Sequence, residues 1–325
     1  MKEITITRAN HGQKAEKFVR KYLDGAPLSF IYKLFRIKDV KVNGKRISKD
    51  YILQENDFMQ IYVTDKQLEE FSNTRLIVKS NINLDIVYED KNILIVNKPS
   101  GILIHGDENE KRITLTNVIL NYLFEKNEFD PSNHTFVPAP CHRLDRNTSG
   151  LVIFAKNIES LHILEELFKT KEEINKEYLT LVCGKLYGEN KIEAPLFKDE
   201  KNNMVKVKSV SEGGKYALTY YKVLETFENC TLLNVKIVTG RTHQIRVHLS
   251  YINHPVLGDS KYGNFSMNKI FLEKYHYQNQ FLHAYKIEFK NIEGCLSYLS
   301  NKTFIANLPT KEESILKSIQ EEKRI

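Results

Sequence analysis

Apolar residues recur at helical spacing twice near the start of the chain. Ala15, Phe18, Val19 and Tyr22 fall at i, i+3, i+4 and i+7, which predicts a helix over residues 13–23. Leu28, Ile31, Tyr32 and Phe35 repeat the spacing and predict a second helix over 28–38. The period then shortens. Val40-Lys41-Val42 and Lys45-Arg46-Ile47 flank Asn43-Gly44, and Asn-Gly between β-prone runs signals a tight hairpin because both residues tolerate positive φ. Phe58 to Val63 predicts one more strand. Two helices and a small sheet make a compact unit ending near residue 65. Residues 65–82 mix charges with isolated apolar positions and show no clear period, so a partly docked linker is expected there.

Beyond residue 82 the pattern is dominated by strands. Leu84–Tyr88, Ile93–Val96, Leu151–Phe154, Tyr178–Val182, Tyr216–Val223, Leu232–Val238 and Tyr285–Phe289 all read as strands, with Lys98-Pro99-Ser100-Gly101 as a turn. Thr116 to Lys126 reads as a helix. Asn157 reads as the cap of another, whose stripe is Leu161, Leu164, Leu167 and Phe168. Many strands with few helices between them predict an α+β fold with a mixed, largely antiparallel sheet flanked by helices. The expected organisation is a small domain over 1–70, a linker over 71–82, a main domain over 83–310, and a charged, frayed helical tail over 311–325.

Length and charge add limits. The chain has 325 residues, enough for about two domains at ~150 residues each. Lys and Arg number 48 against 41 for Asp and Glu, a net charge of +7. That value is compatible with a nucleic-acid partner without demanding one. Distribution says more. Lys33, Arg36, Lys38, Lys41, Lys45, Arg46 and Lys49 crowd between residues 31 and 50, against Asp39 and Asp50 only. Such a cluster suits a phosphate-binding face or a solvated helix face. No apolar run approaches the roughly 18 residues of a membrane span. Met1 to Asn10 lacks the apolar stretch of a signal peptide, so a soluble, cytoplasmic protein is expected. Cys141, Cys183, Cys230 and Cys295 lie far apart, which argues against a disulfide framework or a zinc ribbon and fits a reducing compartment.

Three segments carry candidate chemistry. His142-Arg143-Leu144-Asp145-Arg146-Asn147-Thr148-Ser149-Gly150 is a charge-dense loop leading into an apolar strand. Asp145 lies between two arginines. Neighbouring cations favour an ionised carboxylate, which suits a nucleophile, and an Arg–Asp network with a purely structural role fits the same residues. A hydrolytic set of Ser149, His142 and Asp145 is disfavoured, because triads are assembled from separate chain segments. In Thr239-Gly240-Arg241-Thr242-His243-Gln244-Ile245-Arg246-Val247-His248-Leu249, Thr242 is placed to cap a helix. Arg241, just before it, is placed to meet an anion. Arg246 and Leu249 share a helix face. His243, His248 and His254 are five and six residues apart, which does not put ligands on one helix turn, and a metal site is disfavoured. Tyr178, in Asn175-Lys176-Glu177-Tyr178, reads by itself as a core aromatic.

Taken together these segments resemble the RluA family of pseudouridine synthases. The matching stretches are Ile95-Val96-Asn97-Lys98-Pro99-Ser100-Gly101, His142-Arg143-Leu144-Asp145 with Thr148-Ser149-Gly150, Lys176-Glu177-Tyr178, Ala217-x-Thr219, Gly240 to His248, His254 to Asp259, and Leu282-His283-Ala284. They keep order and spacing over more than 200 residues. Cys141 stands where the family often has Val. The first 50 to 65 residues resemble an S4 RNA-binding domain, through the two-helix start, the basic second helix, Val40-Lys41-Val42-Asn43-Gly44-Lys45, and Asn56-Asp57 before the last strand. The resemblance implies conversion of uridine to pseudouridine in structured RNA, 23S ribosomal RNA in particular, by a monomer that needs no cofactor or metal. Transfer RNA as substrate, or a non-catalytic RNA-binding protein of the ribosome, are the alternatives. The intact Asp145, Tyr178 and Arg246 speak against the second. By the match, Asp145 is the nucleophile or base, Arg246 pairs with it, Tyr178 stacks on the flipped uracil and Leu249 packs behind it. Arg143 fills the gap in the RNA, His142 is a substrate contact, Arg241 meets an RNA phosphate, and Lys33, Lys41, Lys45 and Arg46 bind phosphates.

Overall fold

The computed structural model describes residues 1–6, 10–23, 25–71, 80, 82–106, 112–131, 136–170 and 172–322. Most of the expected 71–82 linker lies outside them. The chain divides into two compact units. One comprises Met1–Asn81, Asn117–Ala139 and Lys156–His162; the other comprises Ile82–Thr116, Pro140–Ala155 and Ile163–Ile325.

The first unit opens with β1 (Lys2–Thr5), α1 (Ala15–Tyr22), α2 (Leu28–Arg36), β2 (Val40–Val42), β3 (Lys45–Arg46), β4 (Phe58–Ile61) and α3 (Asp65–Phe71). Both expected helices form. They bury Ala15, Phe18 and Val19 on one and Ile31, Leu34 and Phe35 on the other, against Val40, Val42, Met59 and Ile61 of the sheet. Asn43 and Gly44 take φ of 51° and 75°, the two positive values that a two-residue hairpin needs. Asp57, nearly buried, locks the hairpin by accepting hydrogen bonds from Asn43 Nδ2 at 2.8 Å, Gln54 N–H at 2.8 Å and Tyr51 Oη at 3.1 Å. Two elements differ from expectation. Lys2–Thr5, for which no element is expected, pairs antiparallel with β4, because the backbone ladder and the buried Ile6 outweigh its polar side chains. The linker begins as helix α3, with Leu68 against the core and the Phe71 ring 4.6 Å from Phe30.

The chain continues through β5 (Ile86–Glu89), β6 (Ile93–Lys98), α4 (Leu115–Glu125), β7 (Ala139–Pro140), β8 (Ser149–Ala155), α5 (Ile158–Thr170), β9 (Ile174–Cys183), β10 (Glu189–Glu193), β11 (Leu196–Asp199), β12 (Met204–Val207), β13 (Leu218–Thr226), β14 (Cys230–Ile237), α6 (Gln244–Tyr251), α7 (Phe265–Tyr275), β15 (Leu282–Phe289), β16 (Thr303–Ile305) and α8 (Thr310–Glu322). Asn157 caps α5 as expected, its Oδ1 accepting from Ser160 N–H at 2.9 Å. Most of these strands form one large sheet in the order β10-β13-β14-β9-β15-β8-β6-β5, with β16 on β15 and β7 on β8, while β11 and β12 pair with each other in a separate two-stranded sheet. Within that path only β15 and β8 run parallel. Gly150 marks their crossing at φ 111°, where a Cβ would stand 2.2 Å from Ala284 O, so no other residue fits.

Register decides which helices meet which face of the sheet. Tyr178 lies opposite Val235, which lies opposite Tyr221, with Thr219 two residues away on the same side. Helix α6 covers that face, as His248 Nδ1 meets Thr219 Oγ1 at 2.9 Å. Leu181, Cys183, Cys230 and Leu232 fall on the other face and form a core with Phe271 of α7 and Ile315 and Ile319 of α8. Helix α8 is therefore a docked part of the second unit rather than the frayed tail expected over 311–325. Its apolar stripe, diluted by charge, is legible only once the sheet is in place. Among the described residues no helix is long and apolar enough to cross a membrane.

Candidate active site

The site is built where three separate segments converge. The 142–148 loop enters β8, β9 carries Tyr178, and α6 carries Arg246. Asp145 retains about a quarter of its side-chain exposure, 27%, and its Oδ2 accepts from Arg246 Nη1 at 2.8 Å. Its Oδ1 has no partner among the described residues. The pairing expected from sequence is present, and it is only half of what Arg246 does. Arg246 also donates from Nε to Asp259 Oδ2 at 2.6 Å and from Nη2 to Asp259 Oδ1 at 2.8 Å. Burial works against the charge of Arg246, and the Asp259 bonds with the two carboxylate charges more than offset it, so the guanidinium is held firmly protonated. Asp259 itself is fully buried, and its Oδ1 accepts from the Lys261 and Tyr262 N–H groups at 2.8 and 3.1 Å. Burial pushes this carboxyl up, but the bonds and charge of Arg246 leave it below the usual carboxylate range.

Tyr178 is 5% exposed, and its hydroxyl makes no hydrogen bond among the described residues. Burial first, then the charge of Asp145, push its phenol well above the ordinary value, so it stays protonated. An aromatic ring held beside the carboxylate with an unspent hydroxyl is placed to meet a planar base. Leu249 is fully buried on the same helix as Arg246.

The turn ahead of α6 departs from the sequence reading. Thr242 caps nothing. Gln244 orders the turn instead: its Oε1 accepts from Thr239 Oγ1 at 2.7 Å and Arg241 N–H at 3.0 Å, and its Nε2 donates to Leu218 O and Thr219 Oγ1. Arg241 is exposed and tied by its Nε to Tyr216 O at 3.0 Å, which leaves its terminal nitrogens outward. His243 stands in the left-handed region at φ 52°, with Nδ1 2.8 Å from Tyr262 Oη and Nε2 3.9 Å from Asp145 Oδ2.

Of the remaining candidates, Arg143 is exposed. His142 is not available to a substrate. Its Nε2 accepts from Ile153 N–H at 3.2 Å, its ring stacks 4.4 Å from Phe168, and its Nδ1 is buried and unpartnered. Burial holds its imidazole far below the ordinary value, so it is a neutral tether between loop and strand. The hydrolytic set also fails: Ser149 bonds His283 Nδ1 at 2.9 Å, both side chains are buried, and the second His283 nitrogen donates to Ala306 O. His248 and His254 are spent on Thr219, Ala194 O and Cys183 O. Lys33, Lys45 and Arg46 are exposed in the first unit, and Lys41 Nζ lies 4.7 Å over the Tyr62 ring.

Sequence reasoning missed Lys98 and Asp259 as parts of the site. Lys98 is fully buried and donates to Pro99 O, Ile102 O and Arg146 O, each at 2.9 Å, which stitches the turn after β6 to the residue that follows Asp145. Both residues lie in stretches that carried the resemblance, but nothing in local spacing reveals what either would touch.

Residues 92–251 match the family described as RNA pseudouridylate synthase. An uncharacterised RNA pseudouridine synthase of Mycoplasma capricolum is 38% identical over 94% of this chain and 98% of its own length. Ribosomal large subunit pseudouridine synthase C of Pasteurella multocida is 34% identical over 99% of this chain and 95% of its own. The solved human RNA pseudouridylate synthase domain containing 4 covers 72% of this chain and 92% of its own at 23% identity, with a TM-score of 0.56, which shows a shared fold.

Proposed function

The chain belongs to the RluA family of RNA pseudouridine synthases, and from that premise we propose that it isomerises uridines in large-subunit ribosomal RNA, 23S RNA in bacterial terms. The C-type relatives, similar over nearly the whole chain, support the ribosomal substrate. The observation that carries the catalytic reading is the partly exposed Asp145, held by Arg246 on one oxygen and open on the other, beside the unspent hydroxyl of Tyr178.

A uridine in a stacked helix hides C1′ and C5, so the base must leave the stack first. The N1–C1′ bond then breaks, the base turns, a C5–C1′ bond forms, the C5 proton is lost and N1 gains one, so the reaction is a net isomerisation. Asp145 acts at the sugar or base through Oδ1. Arg246 fixes the carboxylate from behind, and Tyr178 stacks on the uracil with Leu249 behind the site. Arg143, exposed on the same loop as Asp145, fills the space that the base vacates. The first 70 residues act as an S4-like module in which Lys33, Lys41, Lys45 and Arg46 contact phosphates, with Arg241 a further phosphate contact.

The test is tritium release from a 23S transcript carrying 5-tritiated uridine. The native chain releases tritium, and Asp145→Asn releases none while its RNA affinity stays within a few-fold. A native protein that releases none overturns the activity, and substantial turnover by Asp145→Asn overturns the role of Asp145.

A further inference from the structure

We infer that His243 is a positioning residue for this reaction: its ring presents Nε2–H to the oxygen of Asp145 that Arg246 already holds, leaving Oδ1 as the reacting oxygen. The inference rests on the assignment of Asp145 above.

Hydrogen-bond bookkeeping favours one tautomer. The Tyr262 oxygen accepts the backbone N–H of Val205 at 2.9 Å, a donor that cannot be reversed. The phenolic proton is then free for another acceptor, and among the described residues the one within reach is His243 Nδ1 at 2.8 Å. The ring proton therefore sits on Nε2, the nitrogen 3.9 Å from Asp145 Oδ2. Burial pulls the imidazole below its ordinary value, with Asp145 opposing, which agrees with a neutral ring. The separation is beyond a hydrogen bond, and such contacts in a site without substrate tighten in the bound complex.

The backbone points the same way. His243 occupies the left-handed region at the start of α6, and its side chain caps nothing there. That backbone conformation turns the ring toward Tyr262 and Asp145 rather than toward the helix end. That orientation has a physical use. The terminal torsion of an aspartate is broad and roughly two-fold, so one hydrogen bond from Arg246 leaves the carboxylate free to rock. A second donor converging on Oδ2 fixes the plane and keeps Oδ1 toward the substrate. Tyr262 supports both donors at once, since the Arg246 guanidinium also lies 5.1 Å over its ring.

Two measurements test this. Nitrogen-15 spectra of the histidine rings, with His243 assigned by its absence in His243→Gln, are expected to show Nε2 protonated and Nδ1 bare; a protonated Nδ1 overturns the inference. In the tritium-release assay on the 23S transcript, His243→Leu is expected to lower kcat by about 10–100-fold with KM within threefold. His243→Gln, which carries an amide N–H in place of Nε2–H and bears the same backbone strain, recovers most of that loss. Tyr262→Phe slows the native enzyme and has no further effect on His243→Leu. Equal losses for Leu and Gln, or independent effects of Tyr262 and His243, overturn it. A native protein that releases no tritium overturns the uridine-isomerising reading, and the ring spectrum still decides His243.

Discussion

Arg246 and Asp259 share two parallel hydrogen bonds, at 2.6 and 2.8 Å, where the Asp259 side chain has no exposed surface. The third contact of Arg246 goes to Asp145, the carboxylate that keeps some exposure. One arginine thus has a fully buried carboxylate on its inner side and a partly exposed one on its outer side. Removing the outer partner leaves the charge compensated; removing the inner one does not.

Stability should follow that asymmetry. Asp259→Ala strands a buried guanidinium with a single partly exposed partner and is expected to cost about 3–5 kcal/mol. Asp145→Ala, which leaves both Asp259 bonds in place, is expected to cost under about 1 kcal/mol. Denaturant midpoints of the two singles and of each double with Arg246→Ala give the coupling energies. Arg246 should couple to Asp259 by about 1–3 kcal/mol and to Asp145 by less. A larger coupling to Asp145 would show that Asp259 is not the main anchor.

That asymmetry was out of reach of the sequence, and the reason is physical. The pairing of Asp145 with Arg246 was legible because both sit in motifs whose resemblance already names them partners. Asp259 lies 13 positions beyond Arg246. It reaches the guanidinium through a turn that needs Gly258 at φ 75° with no room for a Cβ, a fact of packing rather than of pattern. Helices α1 and α2 and the Asn43–Gly44 hairpin were legible because their burial is one-sided and their turn residues specific. Strand β10, Glu-Asn-Lys-Ile-Glu, was not: it is an edge strand with only Ile192 buried, so alternation barely registers. Helix α7 buries only Phe271 and shows equally little stripe. The role of Gln244 was missed because it binds the turn ahead of the helix from inside it, while Thr242, one of the residues that normally cap, makes no cap bond.

Salt dependence should report the basic face of the first unit. Lys33, Lys45 and Arg46 are exposed, and Lys41 is held only by Tyr62, at 3.2 Å from its hydroxyl. Replacing all four by Gln is expected to leave the melting temperature nearly unchanged, since surface substitutions of this kind usually act within about 0.5 kcal/mol. The slope of log affinity against log salt should become shallower by ~0.7–0.9 for each phosphate that is no longer neutralised, up to about 3–4 in all. Filter binding of the 23S transcript from low to moderate salt measures it. An unchanged slope would show that this face does not touch RNA.

Lys98 offers a pH signature. Its ammonium is fully buried at the end of β6, and burial pulls it down to about 7, with Asp145 opposing and Arg146 adding to the fall. An ordinary lysine titrates near 10.5. Between those values the unfolded chain binds a proton that the folded chain has released, so stability rises with pH across the window, by at most about 1.4 kcal/mol per pH unit. Below pH 7 both states are protonated and the cost of the buried charge is constant. Lys98→Met removes the titration and leaves the carbonyls of Pro99 and Ile102 without a donor, while that of Arg146 keeps the Gly101 N–H at 3.0 Å. The variant is therefore expected to be less stable than the native chain by about 3 kcal/mol at pH 7, and the gap should widen toward pH 9. Tritium release should fall with it, because the stitch from the turn to Arg146 holds the residue next to Asp145. Urea midpoints at pH 7, 8 and 9 measure the gap. A gap that stays constant would place the lysine near its ordinary value, with the three carbonyls solvating its charge in full; a gap that narrows would reverse the sign.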